Sequence, residues 1–139
     1  RWESGMSRMF QYEKTQSRIG GTLWEKPFQY IENSPVFYIP KVRTPLLIMH
    51  NDADGAVTWY KGIELFMALR RLDKPAWMLS YNDEAHNLVK RPNKKDLSIR
   101  KMQFFDHYLK DAGMPYWMKY GIQQTEKGKI DGYNIINDN

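Results

Sequence analysis

The sequence predicts an α/β fold with parallel strands, incomplete as a domain, and three observations predict it. The continuous apolar run Leu46 to Met49 and the segment Ala76 to Tyr81, polar only at Ser80, have the length of strands covered on both faces. Between them, residues 58 to 72 carry apolar side chains at helical spacing. Each run is followed at once by a polar loop, the first holding Asp52 and Asp54, the second holding His86.

In chain order, residues 1 to 24 mix aromatics, charges and glycine without sustained periodicity, and one short helix is predicted over Arg8 to Arg18 before the Gly20-Gly21 breaker. Glu25 to Asn33 reads as two helical turns with Pro27 in the first, where a missing N–H costs nothing, and with Phe28 and Ile31 to one side. Ser34-Pro35 ends it. Tyr38 to Arg43 leads to Thr44-Pro45, with the proline at the entry of the first strand, a position a strand accepts. Trp59, Ile63, Phe66, Met67 and Leu69 fall near helical spacing, with Lys61, Glu64, Arg70 and Arg71 elsewhere on the cylinder, which predicts an amphipathic helix. Asp73-Lys74-Pro75 stops that helix ahead of the second strand. Lys94 to Ala112 is predicted as a long amphipathic helix through Leu97, Met102, Phe105, Tyr108 and Leu109, closed by Gly113 with Pro115 beyond. Met114 to Met118 is an apolar clasp expected to pack back on the body. Residues 1–120 are therefore assigned to one domain portion and 121–139, ending Asn-Asp-Asn, to a loose tail.

Strand, helix, strand is a parallel crossover, and two strands cover too little to stand alone as such a sheet. The chain also starts without a methionine. The expectation is a C-terminal portion of a larger sheet whose edge pairs with a neighbour, either the upstream part of the same domain or a second copy in a homo-oligomer.

Composition narrows the function. With 139 residues, 42% apolar and 14% aromatic, the chain can build a core. The net charge of +5 is concentrated in Lys90, Arg91, Lys94, Lys95, Arg100 and Lys101, which reads as a solvated helix face; no nucleic-acid signature accompanies it, so no nucleic-acid partner is expected. No apolar run approaches the ~20 residues of a membrane helix, and the opening Arg1-Trp2-Glu3-Ser4-Gly5 is not a signal peptide, so no membrane partner is expected. The absence of cysteine excludes disulfides and thiolate metal sites and leaves the compartment open.

The chemistry lies in the two loops. An acid after one buried strand, a helix, another strand and then a histidine on a loop is the order in which an α/β-hydrolase presents the Asp and His of its triad. His86, 32 residues after Asp54, is the candidate general base. Asp54 is the preferred carboxylate over Asp52, because Val57 in the Asp-x-x-Val turn can anchor in the core while the acid faces the cleft. His50 is expected to orient the acid turn by hydrogen bonds, and His107 to lie on the surface or between helices. A metal site built from Asp52, Asp54, Asp83, Glu84, His50 and His86 lacks any compact ligand motif, and no cofactor is expected. No Gly-x-Ser-x-Gly occurs in the chain, so the nucleophile is missing.

Thr44 to His50 followed by Asp54-Gly55-Ala56-Val57, then Gly62 to Arg70 and Glu84-Ala85-His86-Asn87, resembles the C-terminal third of the catalytic domain of prolyl oligopeptidase family serine peptidases, nearest the dipeptidyl-peptidase and acylaminoacyl-peptidase-like members. Trp24 to Pro35 and the closing helix with Pro115-Tyr116-Trp117 extend the match over nearly the whole chain. The resemblance implies an α/β-hydrolase domain, usually preceded by a β-propeller that restricts access to peptides, with a Ser-Asp-His triad. Asp54 matches the triad acid and His86 the triad base. It also implies a peptide substrate, and a nucleophile and oxyanion-hole donors upstream of Arg1, so the chain alone is expected to be inactive. An esterase on the same fold, or an inert assembly module pairing through its sheet edge, are the alternatives. The chain departs from the family pattern at Asn51, Asp83 and Asn87, where glycine is common and the backbone angles glycine permits are harder to reach.

Overall fold

A computed structural model describes residues 6–136, with side chains from residue 9 onward; the expectations for residues 1–5 and for the closing Asn-Asp-Asn lie outside the described residues. The elements run α1 (Met6–Lys14), α2 (Pro27–Glu32), a 3-10 helix (Pro35–Lys41), β1 (Leu46–Met49), α3 (Trp59–Arg71), β2 (Ala76–Leu79), α4 (Arg91–Lys110) and α5 (Tyr116–Lys119). β1 and β2 are parallel, in the register Leu46↔Ala76 to Met49↔Leu79.

Strand alternation divides the core. Leu46, Ile48 and Ala76 face one way, onto Leu65, Phe66, Ala68 and Leu69 of α3 and onto Ile39 and Val42. Leu47, Trp77 and Leu79 face the other, onto Phe104 and Tyr108 of α4 and onto Trp117 and Met118. The result is a helix–sheet–helix sandwich, the α/β arrangement expected, with two parallel strands and flanking helices. Full burial of Leu69 and Ile39 contributes about 1.5–3 kcal/mol each. Among the described residues no helix is long and apolar enough to cross a membrane.

Two local expectations are corrected. On α4 the side facing the body is Arg100, Phe104 and Tyr108, at i, i+4, i+8, while Met102, Phe105 and Leu109 are exposed. An arginine counts as polar in any periodicity, so the pattern hid the buried line. The end of α4 is made by Asp111, left-handed at φ 53°, rather than by Gly113; His107 Nδ1 donates to the carbonyl of Ala112 at 2.8 Å, and Gly113 instead makes room for the Ile135 side chain.

Within the expected loose tail, residues 131–136 are tied to α4 and to the segment around α5. Arg100 donates to the carbonyl of Asp131 at 2.9 Å and Gln103 to that of Tyr133 at 2.6 Å. The Trp117 and Ile136 amides donate to Gly132 and Met114 carbonyls, and Pro115 bridges Ile135 antiparallel. The Arg100 guanidinium lies between the Trp117 and Tyr133 rings, 5.2 and 5.1 Å from their centroids, with Nε 2.9 Å from Asp96 Oδ2. Tyr81 and Tyr133 both donate to the Asp96 carboxylate. Burial and that carboxylate push the Tyr133 hydroxyl up to about 12 and raise Tyr81 as well.

Candidate active site

The acid turn begins where β1 ends. Asp54 Oδ1 accepts the backbone N–H groups of Ala56 and Val57 at 2.8 and 2.9 Å, the side chain closing its own turn. Oδ2 is thereby left to face the second loop, 2.8 Å from His86 Nδ1. The Asp-x-x-Val spacing thus works through the amide of Val57. Burial raises the Asp54 carboxyl, but the Val57 N–H, the His86 ring and the Ala56 N–H together hold it below the ordinary carboxylate value. An ionised Asp54 accepts only, so His86 Nδ1 carries the proton and its Nε2 carries the lone pair. The Asp54 side chain is 5% exposed and the His86 side chain 58%. A shielded carboxylate therefore orients an imidazole whose far side is open to solvent.

Asp52, the competing acid, is exposed and is engaged elsewhere, its Oδ1 accepting the Asp83 N–H at 2.8 Å. Asp83 is left-handed, φ 57°, at one of the positions where the resemblance leads one to expect glycine. His50 Nε2 donates to the Val57 carbonyl at 2.8 Å and lies 3.5 Å from Asp54 Oδ2, bracing the acid turn from behind. The ring occupies space that Gly62 of α3 leaves open, since a Cβ there would meet His50 Nδ1 at 2.5 Å. Among the described residues no three His, Cys, Asp or Glu side chains are grouped to hold a metal ion.

Two residues named in the sequence for other reasons hold the site's loops in place. Glu84, fully buried, accepts the N–H groups of Val89 and Lys90 at 2.8 and 3.0 Å and the side-chain amide of Asn93 at 2.7 Å. It ties the start of the histidine loop to the start of α4. Burial raises its carboxyl, but the Val89, Asn93 and Lys90 donors hold it below its ordinary value. A carboxylate shortly before a helix start was the available signal, since helix N-termini present free N–H groups. Asn51, also buried, donates from Nδ2 to the Ala85 carbonyl at 2.7 Å; its departure from glycine was its signal.

These carboxylates give the fold an acid limit. Asp54, Glu84 and Asp96 all sit below their ordinary values, so the stability they contribute is complete above the ordinary carboxylate range, near pH 4, and is lost as pH falls through their lower folded-state values. Tyr133 acts with the opposite sign. Its raised hydroxyl contributes stability that is complete below about pH 10 and lost as pH rises toward 12. Urea midpoints measured across pH are expected to fall at both ends; an unchanged midpoint at about pH 3 would contradict the carboxylate arm.

Comparison with known proteins shows what the chain is similar to. The sequence pattern of the prolyl oligopeptidase family matches residues 2–112. Dipeptidyl-peptidase 5 of Schizosaccharomyces pombe is 30% identical over 94 residues, 68% of this chain and 14% of that protein. The acylamino-acid-releasing enzyme of Homo sapiens is 37% identical over 60 residues, 43% of this chain and 8% of that enzyme. The structure of Pyrococcus horikoshii acylaminoacyl peptidase superposes with a TM-score of 0.59 at 22% identity, covering 68% of this chain and 16% of the peptidase, which shows a shared fold. The chain thus spans about a sixth or less of the length of these relatives.

Proposed function

Because the chain belongs to the prolyl oligopeptidase family, we propose that Asp54 and His86 are the acid and base of a serine peptidase triad whose nucleophile is supplied from outside these 139 residues. The observation that carries the reading is the 2.8 Å contact between Asp54 Oδ2 and His86 Nδ1. With its proton on Nδ1, His86 offers the Nε2 lone pair to a serine hydroxyl as that oxygen attacks a peptide carbonyl. The imidazolium then formed is stabilised by Asp54 and returns the proton to the leaving amine, and water releases the acyl group by the same steps. A peptide is the substrate class, as the names of the relatives suggest.

The serine and the oxyanion donors come, on this reading, from a polypeptide that completes the sheet. Among the described residues β1 and β2 pair only with each other, so each keeps an outer edge with free backbone groups for such a partner or for a second copy. The test is a serine-directed fluorophosphonate. The 139-residue chain alone is expected to take up none, and a polypeptide placing a Gly-x-Ser-x-Gly segment of the family ahead of it is expected to label at that serine. Specific labelling of the chain by itself would overturn the reading.

A further inference from the structure

We propose that Asn51 is a positioning residue that sets the orientation of His86, an inference that rests on the reading of Asp54 and His86 as a catalytic pair. Asn51 is 1% exposed, and its Nδ2 donates to the carbonyl of Ala85, the residue immediately before His86, at 2.7 Å. A carbonyl only accepts, so the amide has one permitted orientation: NH2 toward Ala85, Oδ1 away. Oδ1 is then buried with no hydrogen-bond partner. A buried unpaired acceptor is costly, and glycine at this place would avoid it. What offsets the cost is the tether.

The need for a tether follows from exposure. The His86 ring is more than half open to solvent, so packing does little to fix it and its angle depends on the backbone that carries it. The three residues ahead of it are each tied down. Asp83 is held by Asp52, Glu84 by the start of α4, and Ala85 by Asn51. The Asp52 tie lies in solvent and the Glu84 tie leads to α4. Only the Asn51 tie joins the histidine loop to the acid turn through the protein interior, three residues from Asp54, so it fixes base against acid.

The test reads the ring itself. In the uniformly 15N-labelled chain, long-range proton–nitrogen correlation at a pH where His86 is neutral distinguishes its two tautomers. The wild type is expected to favour Nδ1–H, the form Asp54 selects. Asn51→Asp, of the same shape, sets a carboxylate oxygen against the Ala85 carbonyl; Asn51→Ala removes the tether without adding charge. In both, the ratio of Nδ1–H to Nε2–H is expected to fall about fivefold, the factor one ordinary hydrogen bond sustains, while the amide resonances of α3 and α4 stay in place. If Asn51→Asp fails to fold, Asn51→Ala decides. A wild-type ratio in Asn51→Ala overturns the proposal, as does loss of the α3 and α4 resonances in both variants, which would make Asn51 a general structural residue. A wild-type ring that already favours Nε2–H sinks the pair itself.

Discussion

Asp54→Asn, in a polypeptide that joins this chain to the family's serine segment, is expected to lower kcat by about 10⁴-fold with little change in KM. The magnitude follows from which atom faces which. Asp54 Oδ1 is held by two N–H donors, from Ala56 and Val57. An asparagine must keep its single oxygen there, because an NH2 group would oppose both donors, so its nitrogen turns toward His86 Nδ1. Facing a donor, Nδ1 has to accept, and the ring proton moves to Nε2. The base then presents an N–H where the serine needs a lone pair, in an otherwise unchanged geometry. His86→Ala should cost at least as much, since it removes the acceptor itself. Steady-state kinetics on a peptide p-nitroanilide measures both, and a loss of less than tenfold in either variant would remove Asp54 and His86 from the mechanism.

Arg100→Ala is expected to give the largest loss of stability, about 3 kcal/mol, at the lower end for breaking a buried ion pair because a quarter of the Asp96 side chain remains exposed. The substitution leaves Asp96 with its two tyrosines and no countercharge, and it frees the Asp131 carbonyl. It also empties the space between the Trp117 and Tyr133 rings. In a domain of this length the melting temperature should drop by roughly 10 °C. Arg100→Lys should recover little, since an ammonium cannot span two oxygens and two ring faces as a planar guanidinium does. Hydrogen exchange localises the effect: the amides of Tyr116, Trp117 and Ile136, bonded to Asn134, Gly132 and Met114, should lose protection ahead of those in α3. Unchanged protection at these three amides would show that Arg100 does not hold the C-terminal segment.

The parts of the molecule legible in its sequence are those governed by apolar spacing. Leu46 to Met49 and Ala76 to Tyr81 announced the two strands, the second of which ends at Leu79, and residues 58 to 72 announced the helix Trp59–Arg71, because transfer of apolar surface from water dominates there. Asp54, preferred over Asp52 on its spacing to Val57, is the acid that lies against His86, and its turn is closed by the Val57 amide rather than by the Val57 side chain. What stayed hidden is held by polar groups acting across the chain. Arg100 is buried because it finds an acid, a carbonyl and two rings, the last of them 33 residues downstream at Tyr133, and no local window contains all of these. The same arginine explains both the misplaced face of α4 and the attachment of the C-terminal segment at Asp131 and Tyr133. Glu84 and Asn51 hid their roles for a like reason. Their value lies in backbone groups, which carry no residue-type signature.

The parallel register of the two strands has a metrical consequence. Met49 stands opposite Leu79, and the acid and base loops leave the sheet from these matched ends. The distance between acid and base is therefore gauged by the ladder, like two arms mounted on one ruled bar. A slip by one residue would advance one arm by about 3.3 Å, enough to part a 2.8 Å contact, and would also turn each side chain of that strand to the opposite face. A misaligned sheet would then lose its core and its acid–base contact in the same step, so a chain with the pair in contact is also a chain with its strands in register.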